Sequence, residues 1–460
     1  MASVILGDWT HRRGDAGGTR SVPAEIQRPR PTVAWMWQPE HGGRVDQVRV
    51  TGTTVIVATM MPSDPSAPRW EHAVLYVLDA HTGVEVARRV LPDPVPVAAM
   101  VVENGVVHVV STLKGEPIFW YALTPAELVP IHRRIVALAD DVRHDDVLDA
   151  WGTPDGGLWL EIDARSHGEG TRAPTYVFAD PSGAPTGAGA RAERAGTDGP
   201  VFAHDACAGG HDLFAPIEGR WDSEDDASPP GVLRLDRRPS DDATAATGAG
   251  PRVGTGPLVG AGPGVGAGAW VHASVVGPRS RIHTLCGDGV VCAVAVAEDP
   301  SKPELARLEA FAADRSSGVV RWRAHDAKLA IKPHLGDVAR VARRPNGEVL
   351  FQGLAPDGGP CTPLVCAGPD SRVDVILLGA RGRYVLDAAL GDLVLAHREN
   401  KDGRVEVGGF AIDQEGRLLG RRAVPQWSID LGDLGGEASV YAGAGAVIVR
   451  GANAVCAVRV

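Results

Sequence analysis

The sequence predicts an all-β chain folded as a single β-propeller. Glycine and proline recur too often for long helices, short β-branched runs alternate with tight turns, and those turns return with a period near 56 residues. Of 460 residues, 57 are Gly and 35 are Pro. In a helix interior Gly costs about 1 kcal/mol and Pro about 3, which excludes a helical bundle or coiled coil. The apolar fraction of 44% still supplies a large buried core, so the chain is not a disordered one.

The repeating unit is clearest at Val101-Val102-Glu103-Asn104-Gly105-Val106-Val107-His108-Val109-Val110. Asn-Gly supplies the two positive φ angles of a type I′ hairpin turn. Comparable turns fall near Gly52, Gly105, Gly156, Gly210, Gly289, Gly347, Gly391 and Gly445, at separations of 53, 51, 54, 79, 58, 44 and 54 residues. A second turn follows at least four of them, at Asp79 to Gly83, Asp180 to Gly183, Asp314 to Gly318 and Asp413 to Gly416. There Asp accepts hydrogen bonds from amides two or three residues on, and Gly ends the turn. Each repeat is therefore two hairpins in series, a four-stranded sheet that must stack on neighbours and closes most economically as a ring.

Eight first hairpins imply eight blades, or seven if one is a false count. After the hairpin at Gly445 only one more strand remains, Ala454 to Val460, so the last sheet lacks a fourth. Val33-Ala34-Trp35-Met36-Trp37 can supply it and close the ring. Residues 1–460 are accordingly read as one domain, with a lead-in at 1–30 and a flexible Gly-rich insertion at about 239–269. A β-sandwich is the structural alternative. Ser301 to Glu304 has capping-box spacing and Ile131 to Trp151 lacks Gly and Pro, but the repeat phase makes both strands.

Leu75-Tyr76-Val77-Leu78-Asp79-Ala80-His81-Thr82-Gly83 resembles the L-Y-A-L-D-A-x-T-G-x-x-x-W repeat of PQQ-binding-like (quinoprotein-type) β-propellers. Phe311 to Trp322 and Tyr384 to Gly391 are further copies, and Asp8-Trp9-Thr10-His11-Arg12-Arg13-Gly14-Asp15 is similar to the lead-in before the first blade of that family. Enzymes of the family hold a quinone near the channel against a tryptophan floor, with calcium and often a pair of adjacent, disulfide-linked cysteines. The six cysteines here include no adjacent pair, and only Trp322 among the three copies keeps the repeat's tryptophan. The resemblance therefore implies the non-catalytic branch, in which the ring is a binding surface, with no cofactor expected.

No G-x-S-x-G elbow, H-E-x-x-H, Walker loop or EF-hand loop is present. Asp140, Asp141, His144, Asp145, Asp146 and Asp149 cluster between two predicted blades, where carboxylates suit Ca²⁺, a basic partner or simply a solvated acidic loop. His204 and His211 flank the Gly209-Gly210 turn; closure there sets His211 opposite Ala208 and His204 opposite Ala215, which keeps the imidazoles apart and leaves no metal expected. Trp35, Trp37, Trp120, Trp159, Trp270 and Trp322 are expected to fill the wedges between blades. Trp70, Trp221 and Trp427 are expected in loops as exposed partner anchors.

A formal charge of -11 repels phosphate backbones and anionic lipid, so neither nucleic acid nor membrane is the expected partner. The cysteines show no zinc spacing and are expected as reduced, buried thiols. With neither a secretory leader nor 18 consecutive apolar residues, the chain is expected to be cytoplasmic. The expected function is a bacterial protein-binding scaffold, adaptor or sensor subunit whose partner is encoded nearby. The alternatives are an enzyme with a channel-mouth site for a sugar or small metabolite and, third, a PQQ-dependent dehydrogenase.

Overall fold

The structure, a computed structural model, describes residues 4–5, 8–12, 14–15, 19–22, 24–25, 30–62, 70–113, 116–136, 143–165, 173–180, 206–217, 230–235, 269–272, 276, 280–299, 301–332, 341–355, 361–379, 383–391, 393–412, 422–423 and 425–460. Among the described residues all regular structure is β except a 3₁₀ turn at Glu40–Gly42. Eight antiparallel sheets succeed one another along the chain, which settles the blade number at eight. Their strands are called A to D in each blade, A being nearest the axis.

Blade 1 is Arg44–Thr51, Thr54–Pro62, Trp70–Asp79 and Glu85–Val90; blade 2 is Val97–Glu103, Val106–Ser111, Ile118–Leu123 and Pro130–Val136. Blade 3 has three described strands, Arg143–Gly152, Leu158–Arg165 and Ala173–Ala179. Blade 4 is Cys207–Gly209, Asp212–Ile217, Gly231–Leu235 and Ala269–His272; blade 5 is Arg281–Gly287, Val290–Asp299, Lys302–Asp314 and Val320–Leu329. Blade 6 is Val341–Arg343, Val349–Gln352, Thr362–Ala367 and Val373–Leu378; blade 7 is Val385–Leu390, Leu393–Glu399, Arg404–Ala411 and Trp427–Asp433. Blade 8 takes A to C from Ser439–Gly443, Ala446–Arg450 and Val455–Arg459, and its D strand is Thr32–Trp37 from the other end of the chain.

All eight A–B turn glycines expected from sequence have positive φ. At the Asn104-Gly105 turn both central residues do, at 49° and 72°, as type I′ geometry requires. In the C–D turn of blade 1, Asp79 accepts from the amides of His81 at 3.1 Å and Thr82 at 2.8 Å. Asp314 repeats this in blade 5 with Ser316 and Ser317. Lys302–Asp314, Pro130–Val136 and Arg143–Gly152 are strands, in keeping with the repeat phase, and residues 137–142 lie outside the described residues. The fourth hairpin pairs Gly209 with Asp212, so His211 sits in the turn itself and not opposite Ala208; the two-residue turn begins one residue later than expected. His204 and residues 239–268 of the insertion lie outside the described residues, and Ala269 already belongs to a strand.

Ring closure rests on Trp35. Its strand pairs antiparallel with Val455–Arg459, and its indole reaches across to blade 1, donating to the Ala80 carbonyl at 2.8 Å. A Cβ at Gly83, whose φ is +72°, would lie 2.6 Å from that ring. Two residues further along the same strand, Trp37 stands edge-on to Tyr76 at 4.9 Å.

The apolar core is divided among the wedges between blades, because each sheet buries both faces on its neighbours. Trp151, Trp159 and Phe178 of blade 3 meet Leu213 and Ala215 of blade 4; Phe214 meets Ile282 and Phe311 of blade 5; Phe410 and Leu386 of blade 7 meet Leu364 of blade 6. All six cysteines are buried and none forms a disulfide.

Candidate functional site

From blade 4 through blade 8 to blade 3 the A strands lie side by side around the axis. The end of this channel that carries the A–B turns is filled by the chain's own lead-in. Trp9 exchanges two main-chain hydrogen bonds with Val50, at 2.7 and 2.8 Å, adding a short antiparallel rung to blade 1. Asp8 accepts from the Gly52 amide at 2.8 Å, and the Thr10 carbonyl accepts from Val102 of blade 2 at 2.9 Å. Arg12 donates to the Leu148 carbonyl of blade 3 at 2.9 Å. A tight turn at His11 to Gly14 then sends the segment across the axis. There the Thr19 and Arg20 carbonyls accept from Arg343 of blade 6 and Ala389 of blade 7, at 2.8 and 2.7 Å, and Ser21–Val22 runs parallel to Ala389 and Leu390.

Trp9, His11, Thr19 and Arg20 of this plug are buried, while Asp8, Arg12 and Asp15 are exposed. Trp9 packs edge-on against Tyr441 of blade 8 with ring centroids 5.8 Å apart. His11 is buried beside Glu103 at 4.0 Å. Burial, reinforced by Arg49 and His108, pushes its imidazole down to about 3, so at neutral pH this contact joins a neutral ring to the carboxylate and is not an ion pair. Burial also raises the Glu103 carboxyl. Beneath them Arg49 is buried and donates to the Val48 carbonyl at 2.7 Å and to Gln47 Oε1 at 3.1 Å. Burial lowers its guanidinium to about 10, partly offset by Tyr441 and Asp149, which leaves it charged at neutral pH.

A calcium-bound quinone of the kind the family resemblance implies does not fit this end of the channel. Ca²⁺ takes roughly six to eight oxygen ligands. The side chains here are an imidazole, a guanidinium, Glu103 and Asp149, the last already accepting from the Ala150 amide at 2.9 Å, and Trp9 occupies the volume. Among the described residues no three His, Cys, Asp or Glu side chains converge to hold a metal.

Of the residues singled out from sequence, Asp140, Asp141 and Trp221 lie outside the described residues. His144, Asp145 and Trp70 fall on strands, Arg143–Gly152 and Trp70–Asp79. Asp146 is exposed and accepts from the Val147 amide at 2.8 Å. Asp149, six residues from the start of its strand, is buried away from it. Trp427 corrects the expectation of an exposed loop anchor: it opens the D strand of blade 7 and is 4% exposed, its indole filling the space above Gly409 that a Cβ would take. The role of Trp9, His11 and Arg49 was missed, although the lead-in motif containing two of them was visible.

Deleting residues 1–25 keeps the closing strand, so the ring is expected to fold with its axis opened. The amides of Val50, Val102, Arg343 and Ala389 donate into the deleted segment and are expected to lose protection about tenfold or more in hydrogen exchange, while the B and C strands keep theirs. Unchanged protection at those four amides would show that the segment does not occupy the channel in solution.

No protein-family model matches the chain, and no curated protein matches it. Among solved structures it is similar to BamB from Moraxella catarrhalis, at 9% identity over 94% of this chain and 100% of that one, with a TM-score of 0.49. A europium-containing methanol dehydrogenase shares 13% over 97% and 90%, with a TM-score of 0.48. Quinohemoprotein alcohol dehydrogenase from Comamonas testosteroni shares 11% over 98% and 80%, with a TM-score of 0.47. At these identities the propeller assignment stands on the strand topology, and activity has to be read from the site.

Proposed function

We propose that this propeller is a non-enzymatic protein-binding scaffold, adaptor or sensor subunit of a bacterial complex, acting in the cytoplasm on a partner encoded nearby. The observation that carries the reading is the occupied channel end: main-chain bonds from the lead-in to blades 1, 2, 6 and 7 turn that part of the axis into packed interior. An enzyme with its site at this mouth would need it open to substrate, whereas Trp9 and His11 are buried in it. A ring stiffened across its axis presents its rim and faces as fixed platforms, which suits recognition without chemistry.

The test is reconstitution from purified components, pairing the chain with each protein encoded beside it and measuring mass in solution. One stoichiometric complex is expected. Failure of every pairing, or turnover of a sugar substrate by the isolated chain, would overturn the reading.

A further inference from the structure

The outer rim is not uniform. On the D strand of blade 1, Val86 and Val90 are 62% and 58% exposed with Arg88 between them, and Val84 precedes them in the same alternation. Blade 2 repeats the pattern at the same positions: Val129, Ile131 and Ile135 are exposed, with Arg133 in the place of Arg88. The two strands are tied together by Arg89, which donates to the Leu128 carbonyl at 3.1 Å. Val33 and Met36 continue the exposed apolar positions onto blade 8. On blade 7 the exposed D-strand positions are polar, Ser428 and Asp430, and on blade 5 a single exposed valine, Val319, is followed by Arg321 and His325.

Both D strands end their sheets, so every second residue turns an unpaired N–H and C=O outward. A protein that only needed to blunt such edges would place charges there, not valine and isoleucine flanking one arginine. We propose that the outer edge of blade 1 is a β-augmentation site for an extended segment of a partner protein that carries, at every second position and so on one face, apolar residues with an acidic residue among them. Main-chain pairing supplies the affinity and the side-chain ladder the specificity. The arginine states the charge: Arg88 already takes carboxylates from Glu40 at 3.0 Å and Glu85 at 3.8 Å, both of these pairs solvent-exposed and readily exchanged. Arg133 is held in two bonds by Asp93, which makes blade 1 the more available edge. A second copy of this chain is the wrong occupant, because the antiparallel register that matches Val86 with Val90 sets Arg88 against Arg88.

The proposal rests on the scaffold reading and specifies its partner. The probe is a blocked ten-residue peptide with valine, valine, glutamate and valine at alternate positions and threonine between them, and the control carries lysine in place of the glutamate. Wild type is expected to bind the first saturably, with new amide protection confined to Glu85–Val90, and to bind the second at least tenfold more weakly. Arg88→Glu, at an exposed position, is expected to reverse that preference without moving the melting temperature. Equal binding of the two peptides, no binding, or protection elsewhere would overturn the proposal, as would a concentration-dependent dimer formed through this edge. A reconstituted partner complex indifferent to Arg88→Glu would overturn the edge site and leave the scaffold reading intact. Failure of every partner alongside specific peptide binding would do the reverse.

Discussion

Trp35→Ala is expected to cost about 3–5 kcal/mol, the range for emptying a buried tryptophan site. The residue is 7% exposed, donates to Ala80 across the blade 8 to blade 1 junction, and fills the space over Gly83. The loss is expected to appear first as rapid hydrogen exchange in 32–37 and 455–459, because the strand that leaves blade 8 also frees blade 1. Gly83→Ala reaches the same contact from the other side, adding a Cβ against the indole at a positive φ, and is expected to loosen the same segments. Trp427→Ala empties a comparable site within one blade and is expected to lower stability without fraying the termini. A melting curve for Trp35→Ala that stays within about 1 kcal/mol of wild type would mean that the ring is held shut elsewhere.

Acid is expected to destabilise the protein well above the carboxylate range. His11 and His108 are buried with pKa values pushed down to about 3 and about 4, against 6.5 for the free side chain. For His108, burial comes first and His132 adds to it; the Trp120 indole donates to its Nδ1 at 3.1 Å, a bond that only the unprotonated nitrogen accepts. The folded values lie below the unfolded one, so the unfolded chain binds more protons through this window. The contribution is complete above pH 6.5 and falls as the pH drops towards 4, by about 1.4 kcal/mol per unit for each histidine. Between pH 7.5 and 5 the pair is expected to cost roughly 4 kcal/mol. Glu103, whose carboxyl burial raises, acts in the opposite sense, over a window that begins at the ordinary glutamate value and extends above it. Denaturant midpoints across this range check the slope, and the double variant His11→Asn, His108→Gln should flatten it. A flat wild-type profile would mean that both imidazoles are solvated.

The hairpin arithmetic found all eight A–B turns because a positive φ in a tight turn is a local demand that glycine meets locally. The closing strand was found by counting, since only one strand followed the hairpin at Gly445, leaving blade 8 with three, and Val33 to Trp37 alternated. Reasoning from residue type failed where burial is decided by distant parts of the chain. Trp427 looked like a loop residue, yet Gly409 on the adjacent strand leaves it a slot in the core. His211 slipped into the turn because the two-residue turn began one residue later than the glycines suggested. The short parallel strands Ser21–Val22 and Arg422–Ala423, which extend blades 7 and 6, carry no pattern long enough to see.

By itself the sequence determined the repeat, the turn chemistry, a ring of eight or seven blades and the pairing of the two chain ends, because each follows from periodicity and local backbone preference. Only the tertiary structure decided that the lead-in crosses the axis, that Arg49 and His11 are buried beneath it, and that exposed valines and isoleucines gather on adjacent outer edges. Those facts depend on which strands the ring brings side by side, and residues hundreds of positions apart acquire a common environment only when it closes.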